Sequence, residues 1–234
     1  HKHTVGSYIE LPKSIIDIGA AFGDWTSTSL SVFPDASYVL VEPLKEYSKS
    51  LRSLTRSNSN ISVTQGIVGS ESGEKIINVH KDLFGSSIFD EVEDDIDLLE
   101  ERITVHSYTL DSIVKDLPGP LLIKIDAQGA ELEILRGNEV GIGLAEVIIL
   151  ETSFFRSIKQ APLFDEVCHF MRDNGFVPYD LIGMSYRPLD NALSQVDVIF
   201  VKEKSFLRKE QAYATKEQRL KQNERFRQKN NLRI

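Results

Sequence analysis

The 234-residue sequence predicts an α/β fold, built on a mostly parallel sheet with helices on both faces and an antiparallel hairpin at its C-terminal end. Short apolar runs rich in Ile, Val and Leu alternate with amphipathic segments, a pattern typical of parallel strands connected by helices. The loop 182–195 between the last two predicted strands is too short for a helical crossover, so these strands are expected to pair antiparallel. The chain length suits one α/β domain with a continuous core.

Strands and helices alternate in the first half of the chain. The predicted elements are strands at 14–18, 37–42, 61–65 and 74–79, and helices at about 24–33 and 44–57. The first two strands are continuous apolar runs, as expected for strands buried on both faces. A Ser72-Gly73 turn leads into the fourth strand.

The second half of the chain continues the alternation. The predicted elements are strands at 103–106, 121–126, 146–151, 176–181 and 196–202, and helices at 110–117, about 130–136 and 163–173. Between the halves lies a less regular segment, 81–101, with a dense acidic stretch from Asp90 to Glu101. Together with Phe84–Phe89 this stretch is a candidate lid over an acceptor, although such a run is more often a solvated face.

Charged residues are distributed unevenly along the chain. The formal net charge is −8, and Arg208 to the C-terminus holds nine Lys or Arg and three Glu, a local +6 that leaves −14 for residues 1–207. An acidic body disfavours nucleic-acid binding, which needs clustered Lys and Arg against phosphate. We expect a globular domain over residues 1–205 and a basic, polar, helical tail over 206–234. The tail is interpreted as a solvated helix or as a contact to a second subunit.

Two further features bound the class of protein. Cys168 is the only cysteine, so an intrachain disulfide is impossible, and this agrees with a cytoplasmic location. No apolar run approaches the roughly 20 residues that span a bilayer, so no membrane partner is expected.

The strongest local signal is the segment Asp17-Ile18-Gly19-Ala20-Ala21-Phe22-Gly23-Asp24, which follows the first strand and precedes a helix. Gly19 and Gly23 let the backbone turn sharply and approach a ligand. Ligands of open parallel sheets bind beyond the carboxyl ends of the strands, where this loop must lie. Glu42 ends the next strand, where a carboxylate accepts hydrogen bonds from the ribose hydroxyls of an adenosine.

The loop departs from the G-x-G-x-x-G pattern, because Ala21 and Asp24 replace the second and third glycines. The second glycine admits a pyrophosphate, so its absence disfavours NAD or FAD. Asp17 and Asp24 place negative charge near the site, which suits the sulfonium and ammonium groups of S-adenosylmethionine. An NAD(P)-dependent oxidoreductase and a non-catalytic adenosylmethionine-binding module stay open as alternatives, as does a purely structural turn.

A more specific pattern lies at Leu122–Glu131, with the letters LIKIDAQGAE, and continues into Leu135-Arg136-Gly137. This segment resembles the hallmark of the FkbM family of methyltransferases. Further matches are Asp17–Ala20, Glu42-Pro43, the Gly66–Gly73 turn and Thr109–Asp111. The resemblance covers about residues 14–202 and implies a Rossmann-like class I methyltransferase fold, S-adenosyl-L-methionine as cofactor, and O-methylation of a hydroxyl on a sugar or natural product.

The resemblance also implies a set of cofactor-binding positions. They are Asp17, Gly19, Ala20, Gly23, Glu42, Pro43, Gln65, Gly66 and Asp126. The sequence departs from the family pattern at Ala21, Ala127 and Gln65-Gly66, which bears on the amino-acid and adenine contacts.

Asp126 and Lys124 are the predicted catalytic residues. They lie on one face of a central strand, because side chains alternate along a strand. A charged pair is costly there unless the two groups pair or sit at the open end of the strand, where a substrate binds. Asp126 is the first candidate for the base that takes the hydroxyl proton, and His106 and His80 are distant alternatives. No metal site is assigned, although Asp126 could cluster with the carboxylates of Glu131 and Glu151.

Overall fold

The computed structural model describes residues 12–92 and 99–230. The chain divides into two compact units, and the boundary between them in the sequence lies between Glu203 and Lys204. No helix within the described ranges combines the length and the apolar character that crossing a bilayer requires.

The first unit begins with alternating strands and helices. In chain order the elements are β1 (Ser14–Ile18), α1 (Asp24–Leu30), β2 (Ser37–Glu42), a short 3₁₀ turn (Lys45–Tyr47), α2 (Ser48–Ser57), β3 (Ile61–Gln65), β4 (Ile67–Gly69), β5 (Gly73–His80) and β6 (Leu99–Thr109). The predicted bounds of β1, β2 and β3 are confirmed. The predicted first helix ends earlier than expected, because residues after Leu30 form a turn closed by Ser29 and Thr28 carbonyls.

The remaining elements complete the unit. They are α3 (Leu110–Val114), β7 (Leu121–Ile125), α4 (Glu131–Leu135), α5 (Glu139–Leu144), β8 (Ala145–Ser153), α6 (Phe164–Asp173), β9 (Phe176–Tyr186) and β10 (Leu193–Lys202). Helix α5 was not predicted. It packs closely on α3, since a Cβ on Gly141 would lie 2.6 Å from Leu110 Cγ.

Seven strands form one sheet in the order β3-β2-β1-β7-β8-β10-β9. Neighbours from β3 to β8 run parallel, and β10 pairs antiparallel with both β8 and β9, which confirms the predicted C-terminal hairpin. The strand order reverses at β1, which has β2 on one side and β7 on the other. Such a reversal opens a crevice at the carboxyl ends of the strands, where α/β proteins bind ligands.

A second sheet of three strands, in the order β4-β6-β5, was not predicted. Strand β4 follows β3 after one residue, Gly66, whose φ of 150° lets the chain leave the large sheet. The predicted strands near 74–79 and 103–106 are present as the longer β5 and β6, which pair antiparallel with Ile77 opposite Ile103.

The core has two parts, one on each face of the large sheet. Alternate residues of β1 divide between them: Ile16 and Ile18 belong to one cluster and Ile15 to the other. In β7, Ile123 and Ile125 join the first cluster and Leu122 the second. Both faces of the central strands are therefore apolar, and polar groups concentrate at the carboxyl ends.

The second unit contains a 3₁₀ turn (Phe206–Arg208) and α7 (Lys216–Lys229). Thr215 starts α7 with a capping box: its side chain accepts from the Gln218 N–H, and the Gln218 side chain accepts from the Thr215 N–H. No residue of α7 is buried. Within its own unit, α7 is a solvated polar helix.

Candidate functional site

A cavity of about 460 Å³ lies at the carboxyl ends of β1, β2, β7 and β8, within the size range of small-molecule sites. Its lining combines apolar side chains with a few carboxylates and amides. The lining residues are Ile18, Gly19, Ala21, Val41, Glu42, Pro43, Leu44, Tyr47, Gly66, Ile67, Val68, Ile77, Asp82, Leu83, Phe84, Gly85, Ser86, Ser87, Ile88, Asp126, Ala127, Gln128, Ala130, Ile134, Glu151 and Gln195.

The glycine loop after β1 contributes Gly19 and Ala21 to the lining of this cavity. Gly19 has a φ of 77°, which L side chains rarely adopt. The Gly19 and Ala20 N–H groups both donate to the Val41 carbonyl, at 3.0 and 3.3 Å. Gly23 also has a positive φ, and a Cβ there would lie 2.3 Å from Leu54 Cδ1. The loop is thus fixed against β2 and α2.

Glu42, at the end of β2, is buried and lines the cavity. Its Oε2 accepts from the Ala21 N–H and its Oε1 from the Leu44 N–H, both at 2.9 Å. Burial raises the pKa of Glu42 to about 7, although these two backbone hydrogen bonds oppose the shift. Each carboxylate oxygen can accept a further hydrogen bond, so Glu42 can receive two hydroxyl donors from a ligand.

Lys124 does not line the cavity and lies between two carboxylates. Its Nζ is 3.0 Å from Asp126 Oδ2 and 4.0 Å from Asp17 Oδ1. Asp17 is fully buried, and its Oδ2 accepts from Thr26 Oγ1 at 2.6 Å. Burial lowers the pKa of Lys124, but the carboxylates of Asp126 and Asp17 outweigh this effect and raise it. Lys124 therefore stays protonated and holds Asp126 in place.

Asp126 and Glu151 share an amide network at the polar end of the cavity. Gln128 Nε2 donates to Asp126 Oδ1 and to Glu151 Oε2, each at 3.0 Å. Gln195 Nε2, on the antiparallel strand β10, donates to the same Glu151 Oε2 at 3.0 Å. Among the described residues, Glu151 Oε1 accepts no hydrogen bond.

Burial, together with the charges of Asp126 and Glu131, raises the pKa of Glu151 to about 8. Asp197, opposite Glu151 in the β8–β10 pair, also has a raised pKa because of burial. At neutral pH a carboxyl with this pKa exchanges its proton readily with a bound group.

Glu131 lies behind the cavity and closes the turn after β7. Its Oε1 accepts from the N–H groups of Ala127 and Gly129, both at 3.1 Å. The turn includes Gln128 with a φ of 48°. Burial raises the pKa of Glu131 to about 7 against the effect of its backbone hydrogen bonds. Glu131 thus shapes the segment that carries Gln128 and does not line the cavity.

Residues 82–88 form one wall of the cavity. Ser87 exchanges two backbone hydrogen bonds with Asn78, and its Oγ donates to the Gln128 carbonyl at 2.8 Å. His80 lies at the base of this wall, with Nε2 at 2.9 Å from Glu91 Oε1. The wall carries Phe84, which is 61% exposed. Of the acidic stretch proposed as a lid, residues 93–98 lie outside the described residues.

The structure brings together only part of the predicted site. Five predicted residues line the cavity: Gly19, Glu42, Pro43, Gly66 and Asp126. The other predicted residues, Asp17, Ala20, Gly23, Gln65 and Lys124, do not line it. Gln65 is exposed, because the chain turns at Gly66 and presents Ile67 and Val68 instead. His106 is also exposed and packs on Tyr108.

Tyr47 and Gln195 were not predicted as site residues, and of the wall 82–88 only the part from Phe84 onward was predicted, as a candidate lid over an acceptor. Tyr47 follows the Glu42-Pro43 pair by a few residues, and Gln195 is a polar residue at the start of an apolar strand. Neither pattern points to a site until the sheet places these residues beside the cavity. For metals, no set of three His, Cys, Asp or Glu side chains in the described ranges is arranged to hold an ion.

The fold is shared with a methyltransferase of known structure. The methyltransferase FkbM from Methylobacillus flagellatus KT matches with a TM-score of 0.51 and 17% identity, over 80% of this chain and 43% of that one. This chain therefore spans less than half of that protein's length. The likeness shows a Rossmann-like class I methyltransferase fold.

Weaker likenesses link the chain to other solved structures. The fibrillarin pre-rRNA processing protein of Methanococcus jannaschii gives a TM-score of 0.48 at 13% identity, over 82% of this chain and 66% of that one. Precorrin-6y C5,15-methyltransferase from Geobacter metallireducens GS-15 gives 0.43 at 12% identity, over 83% and 82%. No curated protein matches the sequence.

The family assignment comes from the sequence. The methyltransferase FkbM domain matches residues 17–178, well over half of the chain. The chain belongs to this family, which confirms the resemblance drawn from the segment Leu122–Glu131.

Proposed function

We propose that this chain transfers the methyl group of S-adenosylmethionine to a hydroxyl oxygen of a small acceptor, a sugar or a natural product. The observation that carries the proposal is the position of Glu42, a buried carboxylate that lines the cavity next to the glycine loop. Each oxygen of this carboxylate can accept one more hydrogen bond, and the two hydroxyl groups of a nucleoside diol can donate them. Membership in the FkbM family supports the same cofactor.

The residues present fit an adenosyl ligand with a positively charged sulfur. Pro43, Ile67 and Val68 give the cavity an apolar side beyond Glu42, suited to an adenine ring. The carboxylates of Asp126, after β7, and Glu151, in β8, also line the cavity. Among the lining residues none is Lys or Arg, so a cationic group is favoured there and a diphosphate is not.

The acceptor side holds two carboxyl groups with different environments. Both oxygens of Asp126 already accept hydrogen bonds, one from Lys124 and one from Gln128. Asp126 is therefore held in one orientation by Lys124 and Gln128, and it positions the reacting groups. The free Oε1 of Glu151 makes Glu151 the better proton acceptor, which revises the expectation that Asp126 takes the proton.

The reaction is an in-line displacement. Bound S-adenosylmethionine supplies an electrophilic methyl carbon on its sulfonium sulfur. Transfer of the methyl group to the acceptor oxygen would release S-adenosylhomocysteine, and Glu151 Oε1 would take the hydroxyl proton. Most of the rate enhancement comes from alignment, to which Asp126 and the network around Gln128 contribute.

The proposal is tested by calorimetric titration of S-adenosylhomocysteine into two variants. Glu42→Ala removes the proposed ribose contact and is expected to weaken binding by about tenfold or more. Glu46→Ala is the matched control, because Glu46 is exposed in the 3₁₀ turn a few residues away and does not line the cavity. Equal affinity of the Glu42→Ala variant and the unaltered protein would show that the ribose site is wrongly placed.

A further inference from the structure

Tyr47 has a buried hydroxyl group without a hydrogen-bond partner among the described residues. The residue ends the 3₁₀ turn after β2, lines the cavity and is only 2% exposed. Buried hydroxyl groups in folded proteins nearly always have a partner, since an unpaired one costs the hydrogen bonds it made to water. The unpaired hydroxyl therefore points to a ligand that supplies the missing partner.

Tyr38 shows how this chain treats a buried tyrosine that has only a structural role. Tyr38 is 1% exposed, and its hydroxyl donates to the Phe33 carbonyl at 3.0 Å and lies 3.2 Å from Ser29 Oγ. The two tyrosines are buried to the same extent and belong to the same core cluster. They differ in that Tyr47 lines the cavity and lacks a protein partner.

The ring of Tyr47 is held in one orientation by two other aromatic rings. Phe22, from the glycine loop, packs edge-on against it with ring centroids 4.6 Å apart. Phe84, from the wall 82–88, lies 6.5 Å away on a tilted plane. Because the ring is fixed, its hydroxyl is fixed as well and meets a ligand without losing side-chain freedom on binding.

The electrostatic surroundings keep the Tyr47 hydroxyl protonated. Burial, followed by the nearby charges of Glu42 and Asp82, raises its pKa to about 12. The hydroxyl is therefore a hydrogen-bond donor at neutral pH. Glu42 and Tyr47 both line the cavity and are linked through Leu44, whose N–H donates to Glu42 Oε1 at 2.9 Å and whose carbonyl accepts from the Tyr47 N–H at 3.3 Å.

We propose that Tyr47 is the second ribose contact of the site. The two hydroxyl groups of the ribose diol donate to Glu42, and the Tyr47 hydroxyl donates to an oxygen of the same diol. Each hydroxyl of a diol has one hydrogen to donate and two lone pairs that accept. Glu42, an acceptor, and Tyr47, a donor, satisfy the two requirements together. The inference rests on the proposed function, because the diol is that of the adenosyl ligand, and it assigns Tyr47 to selection for a ribose.

The experiment compares Tyr47→Phe with Tyr38→Phe, using S-adenosylhomocysteine titrations and thermal unfolding of the unliganded proteins. Tyr47→Phe removes an unpaired hydroxyl, so it is expected to leave the unfolding temperature unchanged or raise it while weakening binding by about tenfold. Tyr38→Phe removes the paired hydroxyl of a residue that does not line the cavity, so it is expected to lower the unfolding temperature and leave binding unchanged. This opposite pattern separates a ligand contact from a structural role.

Deoxy analogues identify the contacted oxygen. One of the two analogues, 2′-deoxy- or 3′-deoxy-S-adenosylhomocysteine, lacks the hydroxyl that Tyr47 contacts. The Tyr47→Phe variant and the unaltered protein are expected to bind that analogue with equal affinity. The inference is overturned if Tyr47→Phe binds S-adenosylhomocysteine as tightly as the unaltered protein, or if the variant loses stability together with affinity. If the unaltered protein itself fails to bind S-adenosylhomocysteine, the proposed function falls and this inference falls with it.

Discussion

A Cβ atom on Gly19 would lie 1.9 Å from the carbonyl oxygen of Asp126. The glycine loop after β1 and the polar segment after β7 are thus in direct contact, and the Asp126 N–H also donates to the Ile18 carbonyl at 3.0 Å. The two sequence signals, separated by about a hundred residues, form one structural unit at the point where the strand order reverses.

This contact makes Gly19 intolerant of a side chain. Gly19→Ala adds a methyl group where the Asp126 backbone lies and also forces a positive φ on a residue that disfavours it. We expect the free energy of unfolding to fall by about 1–3 kcal/mol and S-adenosylhomocysteine affinity to fall with it. The control is Gly143→Ala in α5, where a Cβ meets no atom within 4 Å. Chemical denaturation that shows equal stability for both variants would refute the contact.

The charge balance around Asp17 and Asp126 depends on Lys124. Lys124→Met keeps the length of the side chain but leaves the buried Asp17 and the neighbouring Asp126 without a cation. We expect the free energy of unfolding to fall by about 3 kcal/mol, as for other broken buried pairs. Lys49→Met, at an exposed position of α2, is the control and is expected to change stability little. A loss no larger than that of the control would mean that the carboxylates need no partner.

The raised pKa of Glu131 predicts that the free energy of unfolding depends on pH. Its pKa rises from 4.5 to about 7 on folding, so the folded state binds more protons than the unfolded state between these values. The stability contribution is therefore present below pH 4.5 and is lost as the pH rises through about 7. Glu131→Gln keeps an acceptor oxygen for the Ala127 and Gly129 N–H groups and does not titrate.

We expect Glu131→Gln to show a smaller loss of stability than the unaltered protein between about pH 5 and pH 8, measured by chemical denaturation. The control, Glu139→Gln, alters an exposed glutamate at the start of α5 and is expected to keep the original slope. The prediction is wrong if the Glu131 variant and the unaltered protein lose the same stability over this range.

The two carboxyl groups at the acceptor side are expected to respond differently. Glu151→Gln removes the proton acceptor, so methyl transfer should fall by about 10²–10⁴ while S-adenosylhomocysteine affinity changes little. In the unaltered protein the ionised form of Glu151 is the active one, so transfer is expected to rise as the pH passes about 8. This rise should be absent in the variant. The assay follows labelled methyl from S-adenosylmethionine into a panel of hydroxylated acceptors.

Asp126→Asn is predicted to reduce transfer more than cofactor binding, because Asp126 orients the reacting groups. The same titration and transfer assays give both quantities. If the variant retains the pH rise that Glu151→Gln loses, the division of roles between the two carboxyl groups is supported. Equal losses of transfer and of binding would instead make Asp126 a cofactor contact alone.

The central strands were predictable from the sequence because their burial on both faces demands continuous apolar runs. The bounds of β1 and β2 follow from this rule. Strand β3 lies at the edge of the sheet and is mostly exposed, so its predicted bounds do not depend on it. The sheet β4-β6-β5 did not follow, since strand pairing is a tertiary property and β4 has only three residues. Helix α5 was missed because Gly141 and Gly143 weaken its local helical signal.

The site was predictable where backbone demands and chemistry coincide. Gly19, Glu42 and Asp126 combine a turn or a strand end with a distinctive residue type, and all three line the cavity. Gln65 was predicted as a site residue but does not line the cavity. The local sequence does not determine towards which side of the sheet the chain turns at Gly66. Gln195 reaches the site only because β10 runs antiparallel beside β8. Such residues become visible once the strand order is known.

The proposed cavity ligands are S-adenosylmethionine and its product S-adenosylhomocysteine. The most direct measurement is a calorimetric titration of the unaltered protein with S-adenosylmethionine, S-adenosylhomocysteine and NAD. Micromolar binding of the first two ligands and none of NAD is the predicted result. Preference for NAD would contradict the account and support an oxidoreductase on the same fold, and binding of none of the three would remove the cofactor site as assigned.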